Sequence, residues 1–279
     1  MDGREADELR PIKITPGIVE GADGSALVEW GGNKVLSMVY GPREAYPKHR
    51  QNPTRAIIHC RYNMSPFSVK DRKKPGYDRR SIEISKQVSE VFTNVVFTQN
   101  YPRAAIDVHV EVLQADGGTR CASITASSVA LADAGIPMKG LVSACAAGKL
   151  EGKMAVDLTG KEDSQGDADM PVAVINDTDS ILLLQMDGDL TQGDIRKGMD
   201  MCLDGCRRVA EIQRECLLSM YSMFDDEGTG TPDDPEKPQQ TASPNDSNGL
   251  NDRPEIPDDL EDPKLATRDI EQYLMEGEK

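Results

Sequence analysis

A pair of glycines between an alternating strand and a run of small residues constrains this chain more than any other feature. Apolar and polar residues alternate from Ile106 to Val112, which predicts a half-buried β-strand. Gly117 and Gly118 follow, and a helical pattern of small residues comes next. A glycine turn that opens a helix leaves backbone N–H groups without intrahelical partners, and the helix dipole favours an anion there. The stretch 114–128 therefore predicts an oxyanion pocket at a strand-to-helix turn, although two glycines at this place are also compatible with a plain tight turn.

The first two residues of this predicted helix carry groups that bind oxyanions. Thr119 supplies a hydroxyl and Arg120 a guanidinium. The planar fork of a guanidinium matches phosphate better than a point charge does. Both side chains therefore belong to the predicted pocket.

Charge is distributed unevenly along the 279 residues, whose formal net charge is −16. Residues 225–279 hold 17 acidic and 5 basic residues, so they account for −12 of that total. They are also rich in proline, and such a segment buries too little apolar surface to offset its ordering entropy. We therefore predict a folded domain over residues 1–224 and an acidic disordered tail over residues 225–279.

A basic strip lies within the folded part. Residues 43–80 contain 11 Lys and Arg residues and three acidic residues, which gives a local net charge of +8. Such a strip is a place for a polyanion, and a solvated surface is the alternative. Asp78 occupies an N-cap position, and Arg79 and Arg80 follow it in the first turn, where they oppose the helix dipole unless an anion is near.

The sequence lacks the features of a membrane protein and of a zinc-binding protein. No apolar run approaches the length of a membrane span, and the six cysteines are scattered without zinc-ligand spacing. We therefore expect a cytoplasmic protein without membrane contact, whose cysteines are free thiols.

The order of predicted elements is that of an α+β protein. Two hairpins, further strands and an amphipathic helix are expected, followed by a long final helix that begins at Thr191. Residues 1–10 are charged and are expected to form an exposed arm. Asp163 and Asp169 are expected at the two ends of a short loop that leads into a strand. Carboxylates so placed suit a shared Mg²⁺ or a general acid, and an acidic surface loop is the alternative.

Several ordered motifs resemble the RNase PH family, and within it the catalytic subunits of the archaeal exosome. The resemblance covers roughly residues 1–224. The motifs are Asp2-Gly3-Arg4, Arg10-Pro11-Ile12, Tyr40-Gly41-Pro42-Arg43-Glu44, Arg79-Arg80 with Glu83, Ser85 and Lys86, Leu113 to Arg120, Ala130 to Pro137, and Ala168-Asp169-Met170-Pro171.

The resemblance implies an RNase PH-like fold of mixed β-sheets packed with helices. It also implies a 3′-to-5′ phosphorolytic exoribonuclease that releases nucleoside diphosphates, a reaction that reverses into RNA tailing. The family's phosphate pocket corresponds to Arg80, Gly118, Thr119 and Arg120. Its general acid corresponds to Asp163, and a residue associated with Mg²⁺ corresponds to Asp169, so that both carboxylates are candidate catalytic and metal-binding groups. Its RNA-contacting residues correspond to Arg79, Lys48 and His49.

The implied partners are a single-stranded RNA 3′ end, a catalytically silent homologue in a six-membered ring, and RNA-binding cap subunits. Inorganic phosphate is the implied co-substrate. Two other functions remain open at this point. One is a tRNA-trimming RNase PH homohexamer, and the other is a non-catalytic RNA-binding ring subunit.

Overall fold

The segments with alternating apolar and polar residues form two β-sheets in the computed structural model. The structure describes residues 3–76 and 78–227. The fold is mixed α+β, as predicted. The predicted disordered tail lies outside the described residues, apart from its first three residues.

The first sheet has the strand order β1-β2-β3-β5-β4. Strands β4 and β5 are parallel, and the other neighbours are antiparallel. The predicted hairpin around Gly31-Gly32-Asn33 is confirmed, because β2 and β3 pair on either side of it. The strands are β1 (Ile12–Pro16), β2 (Gly24–Trp30), β3 (Asn33–Glu44), β4 (Ile57–Met64) and β5 (Ala104–Gln114).

The second sheet is antiparallel and has the order β10-β8-β6-β7, with β9 also paired to β8. Strands β6 and β7, which come first in the chain, form the second of the two predicted hairpins, around Glu151-Gly152. The strands are β6 (Val142–Leu150), β7 (Lys153–Val156), β8 (Ala168–Ile175), β9 (Ser180–Leu184) and β10 (Asp187–Gly188).

Four α-helices pack on these sheets: α1 (Arg79–Val95), α2 (Thr119–Asp133), α3 (Gly160–Gln165) and α4 (Gln192–Glu227). Helix α2 contacts β2 and β3 of the first sheet and β6 and β8 of the second. Its small Ala, Ser, Thr and Cys side chains are buried over most of its length, because both sheets approach it closely. Helix α4 covers the second sheet and buries Cys202, Cys206 and Val209, as its pattern predicted. Among the described residues, no helix combines the length and apolar character that a membrane crossing requires.

The expectation of an exposed arm at residues 1–10 is wrong for the described part of that segment, residues 3–10. The Ala6 carbonyl accepts a hydrogen bond from the Val156 amide, and Arg208 of α4 donates to the Asp7 carbonyl. The Arg10 side chain is only 4% exposed and is paired with the buried Asp157. Charge alone suggested solvent exposure, but a charged side chain is buried when a partner compensates it.

The expectation of a short loop between Asp163 and Asp169 is also wrong. Residues 160–165 form the short helix α3, whose first turn is closed by a capping box between Thr159 and Glu162. Asp163 lies on this helix and Asp169 lies within strand β8. The threonine and glutamate three residues apart were a local signal for this helix.

Candidate active site

A cavity of about 490 Å³ opens where the N-termini of α1 and α2 meet the edge of the second sheet. It lies at the end of β5, as the glycine turn predicted. Six of the predicted site residues line it together, although they come from three separate stretches of sequence. They are Arg80, Gly118, Thr119, Arg120, Asp163 and Asp169.

One side of the cavity is suited to an anion. Gly117 and Gly118 have φ angles of 73° and 68°, in the left-handed region that glycine adopts without strain. Gly118 is the N-cap of α2, and no side chain caps this helix end. The first amides of α2 therefore have no intrahelical acceptor and carry the positive end of the helix dipole. Arg80, in the first turn of α1, lines the same cavity.

Arg120 is held partly buried at the anion side, with 19% of its side chain exposed. Its Nη2 lies 3.9 Å from Glu83 Oε1, too far for a normal hydrogen bond. Its Nε is buried and has no hydrogen-bond partner among the described residues. A buried guanidinium N–H without an acceptor is costly. The exposed fifth of the side chain lies at the cavity, where the guanidinium can offer its other donors to an oxyanion.

The Thr119 hydroxyl is oriented from behind by a tyrosine. Tyr62 is fully buried, and its hydroxyl donates to Thr119 Oγ1 at 3.0 Å. Burial raises the pKa of Tyr62, so this hydroxyl remains a donor at neutral pH. Because Thr119 Oγ1 accepts this bond, its own proton is available to an anion in the cavity.

Replacing Tyr62 with phenylalanine is expected to raise the KM for an anionic substrate about three- to tenfold. The phenyl ring fills the same space, and the loss is one neutral hydrogen bond, about 0.5–1.5 kcal/mol. Steady-state kinetics with the Tyr62→Phe variant would measure it, with Tyr40→Phe as the control, since Tyr40 does not line the cavity. Equal KM values for Tyr62→Phe and wild type would contradict this role.

The other side of the cavity holds two carboxylates. The pKa of Asp169 is raised to about 6, first by burial and then by the negative charge of Asp163, while Arg120 and Arg80 oppose the shift. The proton therefore stays on this site to a higher pH than on an isolated aspartate. The negative charge of Asp163 thus contributes to the raised pKa of Asp169.

The same two carboxylates suit a divalent cation. Asp163 and Asp169 supply oxygen ligands, which Mg²⁺ prefers, and the repulsion that raises the Asp169 pKa would be relieved by a bound cation. Within the described part of the chain, no group of three or more His, Cys, Asp or Glu side chains is arranged as a metal cage. The two aspartates therefore fit an ion that also takes substrate and water oxygens, as Mg²⁺ usually does.

The cavity is also lined by residues that the sequence did not identify as site residues, among them Glu83, Gln185 and the acidic Asp187. Glu83 follows Arg80 by one helical turn and so shares its face of α1. Its carboxylate accepts hydrogen bonds from Gln87 at 2.9 Å and from Gln185 at 3.4 Å. The i, i+3 spacing of Arg80 and Glu83 was the signal for the first, whereas Gln185 sits at the cavity only because β9 ends there.

Three predicted RNA-binding residues do not line the cavity. Arg79 is exposed beside Arg80 at the start of α1. Lys48 and His49 are exposed on a 3₁₀ turn. That turn belongs to a loop anchored at the start of β5, since Arg103 and Asn52 share a backbone hydrogen bond. The cavity is at the far end of β5, so about 30 Å separates the two places.

Comparisons with known proteins identify the family of this chain. Residues 8–137 match the model of the 3′ exoribonuclease family, domain 1, and residues 140–205 match domain 2 of the same family. The chain is 53% identical over 225 residues to a Thermoplasma acidophilum protein named exosome complex component Rrp41, covering 81% of this chain and 91% of the relative. It is 55% identical over 221 residues to the Methanopyrus kandleri protein of the same name, covering 79% and 92%.

Solved structures show the same fold. The crystal structure of rice (Oryza sativa) Rrp46 matches with a TM-score of 0.71 and 25% identity, over 78% of this chain and 99% of that one. A chain of the Archaeoglobus fulgidus exosome with RNA bound to the active site matches with a TM-score of 0.67 and 26% identity, over 76% and 91%. Both family models match this chain, and both relatives are more than 50% identical to it over the aligned residues. The chain therefore belongs to the 3′ exoribonuclease family of RNase PH type.

Proposed function

We propose that this chain is the catalytic subunit of an exosome-type complex that shortens RNA from its 3′ end by phosphorolysis. Orthophosphate would be the attacking group, nucleoside diphosphates the products, and RNA tailing the reverse reaction. The names of the relatives support the exosome assignment. The family supports 3′ exoribonuclease activity.

The observation that carries phosphorolysis is the anion seat of Arg80, Gly118, Thr119 and Arg120, which faces Asp163 and Asp169 within one cavity. In hydrolysis the attacking group is a water, which is neutral and does not require two arginines for its binding. Phosphorolysis must bring an anion against a second anion, the RNA backbone, so it requires positive charge at the site of attack. The Arg120 guanidinium, which lines the cavity and is 19% exposed, is one source of that charge.

The reaction would begin with orthophosphate bound by the two guanidinium groups, the Thr119 hydroxyl and the first amides of α2. One phosphate oxygen forms a bond to the phosphorus of the last phosphodiester. The bond from that phosphorus to the 3′ oxygen of the preceding nucleotide breaks, and this oxygen takes a proton. Such a transfer depends mainly on positioning and on charge stabilisation, which the cavity supplies without a covalent enzyme intermediate.

The aspartate pair would supply that proton. Burial and the negative charge of Asp163 raise the pKa of Asp169 to about 6, so a proton is retained at this pair of side chains to a higher pH than on an isolated aspartate. Proton donation to a leaving oxygen contributes about 10²–10⁴-fold to a rate. When both carboxylates are ionised, Asp163 and Asp169 would instead hold a Mg²⁺, which would neutralise charge on the transferred phosphoryl group.

The test is RNA decay with and without inorganic phosphate, using 5′-labelled RNA and the full chain, alone and co-expressed with an RNase PH-type partner subunit. We expect decay only with phosphate, and nucleoside diphosphates as products. Nucleoside monophosphates at an equal rate without phosphate would show hydrolysis and overturn the proposal. Activity of the chain alone, as a ring, would instead favour the tRNA-trimming homohexamer. A chain that stays inert with all its partners would favour an RNA-binding scaffold.

The position of Lys48 and His49 predicts a length-dependent effect on RNA binding. Since they lie about 30 Å from the cavity along β5, they would contact RNA several nucleotides from its 3′ end. Replacing both with alanine is expected to weaken binding of a 20-nucleotide RNA about three- to tenfold and to leave a 4-nucleotide RNA unaffected, because phosphate contacts add sequence-independent affinity. Fluorescence anisotropy at fixed salt measures both. Equal losses for the two RNAs would place these residues at the cavity and contradict the geometry.

A further inference from the structure

Behind the anion seat, a buried arginine holds the backbone that forms it. Arg10 lies next to Gly118, and a Cβ added at Gly118 would meet Arg10 Nη2 at 3.4 Å. Arg10 Nη1 donates to the Asp116 carbonyl at 2.5 Å, and its Nη2 donates to the Gly117 carbonyl at 3.3 Å. This guanidinium thus binds two consecutive carbonyl groups of the turn that opens α2, and the Asn33 side-chain amide also donates to the second of them, the Gly117 carbonyl, at 2.5 Å.

The guanidinium is itself held by a buried carboxylate. Asp157 accepts hydrogen bonds from Arg10 Nε at 3.0 Å, from Arg10 Nη2 at 2.6 Å and from the Arg10 amide at 2.8 Å. Trp30 Nε1 adds a fourth bond at 2.8 Å. Arg10 and Asp157 are 4% and 5% exposed. This bidentate, water-excluded geometry is rigid, and it can be supplied by arginine but not by lysine.

The segment that carries Asp157 also connects the turn to the helix that carries Asp163. Asp157 lies two residues before Thr159, the N-cap of α3. The Gly160 amide donates to Asp116 Oδ1 at 3.2 Å. A Cβ at Gly117 would lie 2.7 Å from the Gly160 amide nitrogen, so the turn and the start of α3 are in direct contact. Both sides of the cavity are thus tied to Arg10.

We infer that Arg10 is a positioning residue for phosphate binding, which acts by fixing the peptide groups that aim the first amides of α2. This inference rests on the proposed phosphorolytic function. In a planar trans peptide the direction of the N–H follows from that of the preceding carbonyl. The bond from Arg10 to the Asp116 carbonyl therefore sets the direction of the Gly117 N–H, and the bonds from Arg10 and Asn33 to the Gly117 carbonyl together set that of the Gly118 N–H. Misplacing such donors by about 1 Å costs on the order of 10²-fold in rate.

The discriminating variant is Arg10→Lys, which keeps the charge beside Asp157 but cannot reach the carboxylate and both carbonyls together. We expect the KM for inorganic phosphate to rise about tenfold or more, the KM for RNA to change less than about twofold, and amide exchange of residues 117–122 to accelerate. A purely structural role would lower thermal stability without separating the two KM values. The matched control is Arg208→Lys, because Arg208 holds the same N-terminal segment through the Asp7 carbonyl, away from the cavity.

A second variant guards against misfolding. Arg10→Gln combined with Asp157→Asn removes both buried charges at once, and Arg4, which also pairs with Asp157 at 3.8 Å, keeps its pair with Glu162. Asparagine tolerates the positive φ of 53° at position 157. It should fold and show the same selective loss for phosphate. Wild-type-like phosphate KM and amide exchange in Arg10→Lys would overturn the inference while the proposed function stands. A wild-type chain with active partners that neither binds phosphate nor needs it would overturn the proposed function, and the inference with it.

Discussion

Replacing Arg120 with lysine is expected to lower kcat/KM for inorganic phosphate about a hundredfold, the largest single effect that we predict for a charge-conserving change. Arg120 is mostly buried at the cavity, and its Nε has no acceptor among the described residues. A lysine keeps the positive charge but loses the forked donors that match two phosphate oxygens, and it does not replace the Nε–H. The measurement is initial rate against phosphate concentration at saturating RNA.

The matched control for this variant is Arg207→Lys. Arg207 is an exposed arginine on α4 that pairs with Asp204 and Asp179, and it does not line the cavity. Its kinetics should remain within about twofold of wild type, since exposed ion pairs contribute little. A loss for Arg120→Lys that is no larger than that of the control would remove Arg120 from the anion seat.

The second prediction is that replacing Asp169 with asparagine stabilises the metal-free protein while abolishing most of its activity. The folded-state pKa of Asp169 is raised to about 6 from an ordinary value of 3.8, so the folded state binds more protons than the unfolded state between these values. Stability from this group is therefore fully present below about pH 4, falls as the pH rises to about 6, and stays reduced above that. Asp169→Asn should be more stable than wild type by about 1–2 kcal/mol at pH 7.5, after allowance for partial exposure, and equal to it near pH 4.

Activity should move in the opposite direction. Losing a member of the acid pair is expected to reduce the rate about 10²–10⁴-fold, and Asp163→Asn should do the same, while RNA binding remains. Thermal unfolding in EDTA from pH 4 to pH 8 measures the stability, and added Mg²⁺ should raise the melting temperature of wild type more than that of Asp169→Asn. The control is Asp167→Asn, an exposed carboxylate outside the cavity. If the stability of wild type and of Asp169→Asn varied with pH in the same way, the pKa of Asp169 would not be raised in the folded state, which would contradict the prediction.

The elements that the sequence predicted correctly are those whose signals are local. The alternation from Ile106 to Val112 and the following glycine pair predicted β5, the turn and the start of α2, because periodicity and left-handed backbone angles depend only on neighbouring residues. Asp78 caps α1 by accepting a hydrogen bond from the Ser81 amide, as its position indicated. Six of the residues that line the cavity were predicted from residue patterns and from the family resemblance, and the structure places them together without testing their roles.

Contacts between distant segments were decided by the tertiary structure alone. Arg10 and Asp157 are 147 residues apart, so nothing in the local composition showed that a charged N-terminal segment would be buried beneath the anion seat. In the same way, the direction of β5 places Lys48 and His49 at the end opposite the cavity. The raised pKa of Asp169 depends on its burial in β8 and on Asp163 arriving from α3. Local patterns thus determined which elements form and which groups suit phosphate. Only folding set the distances and the exclusion of water on which pairing and pKa depend, because both vary with spatial separation and not with position along the chain.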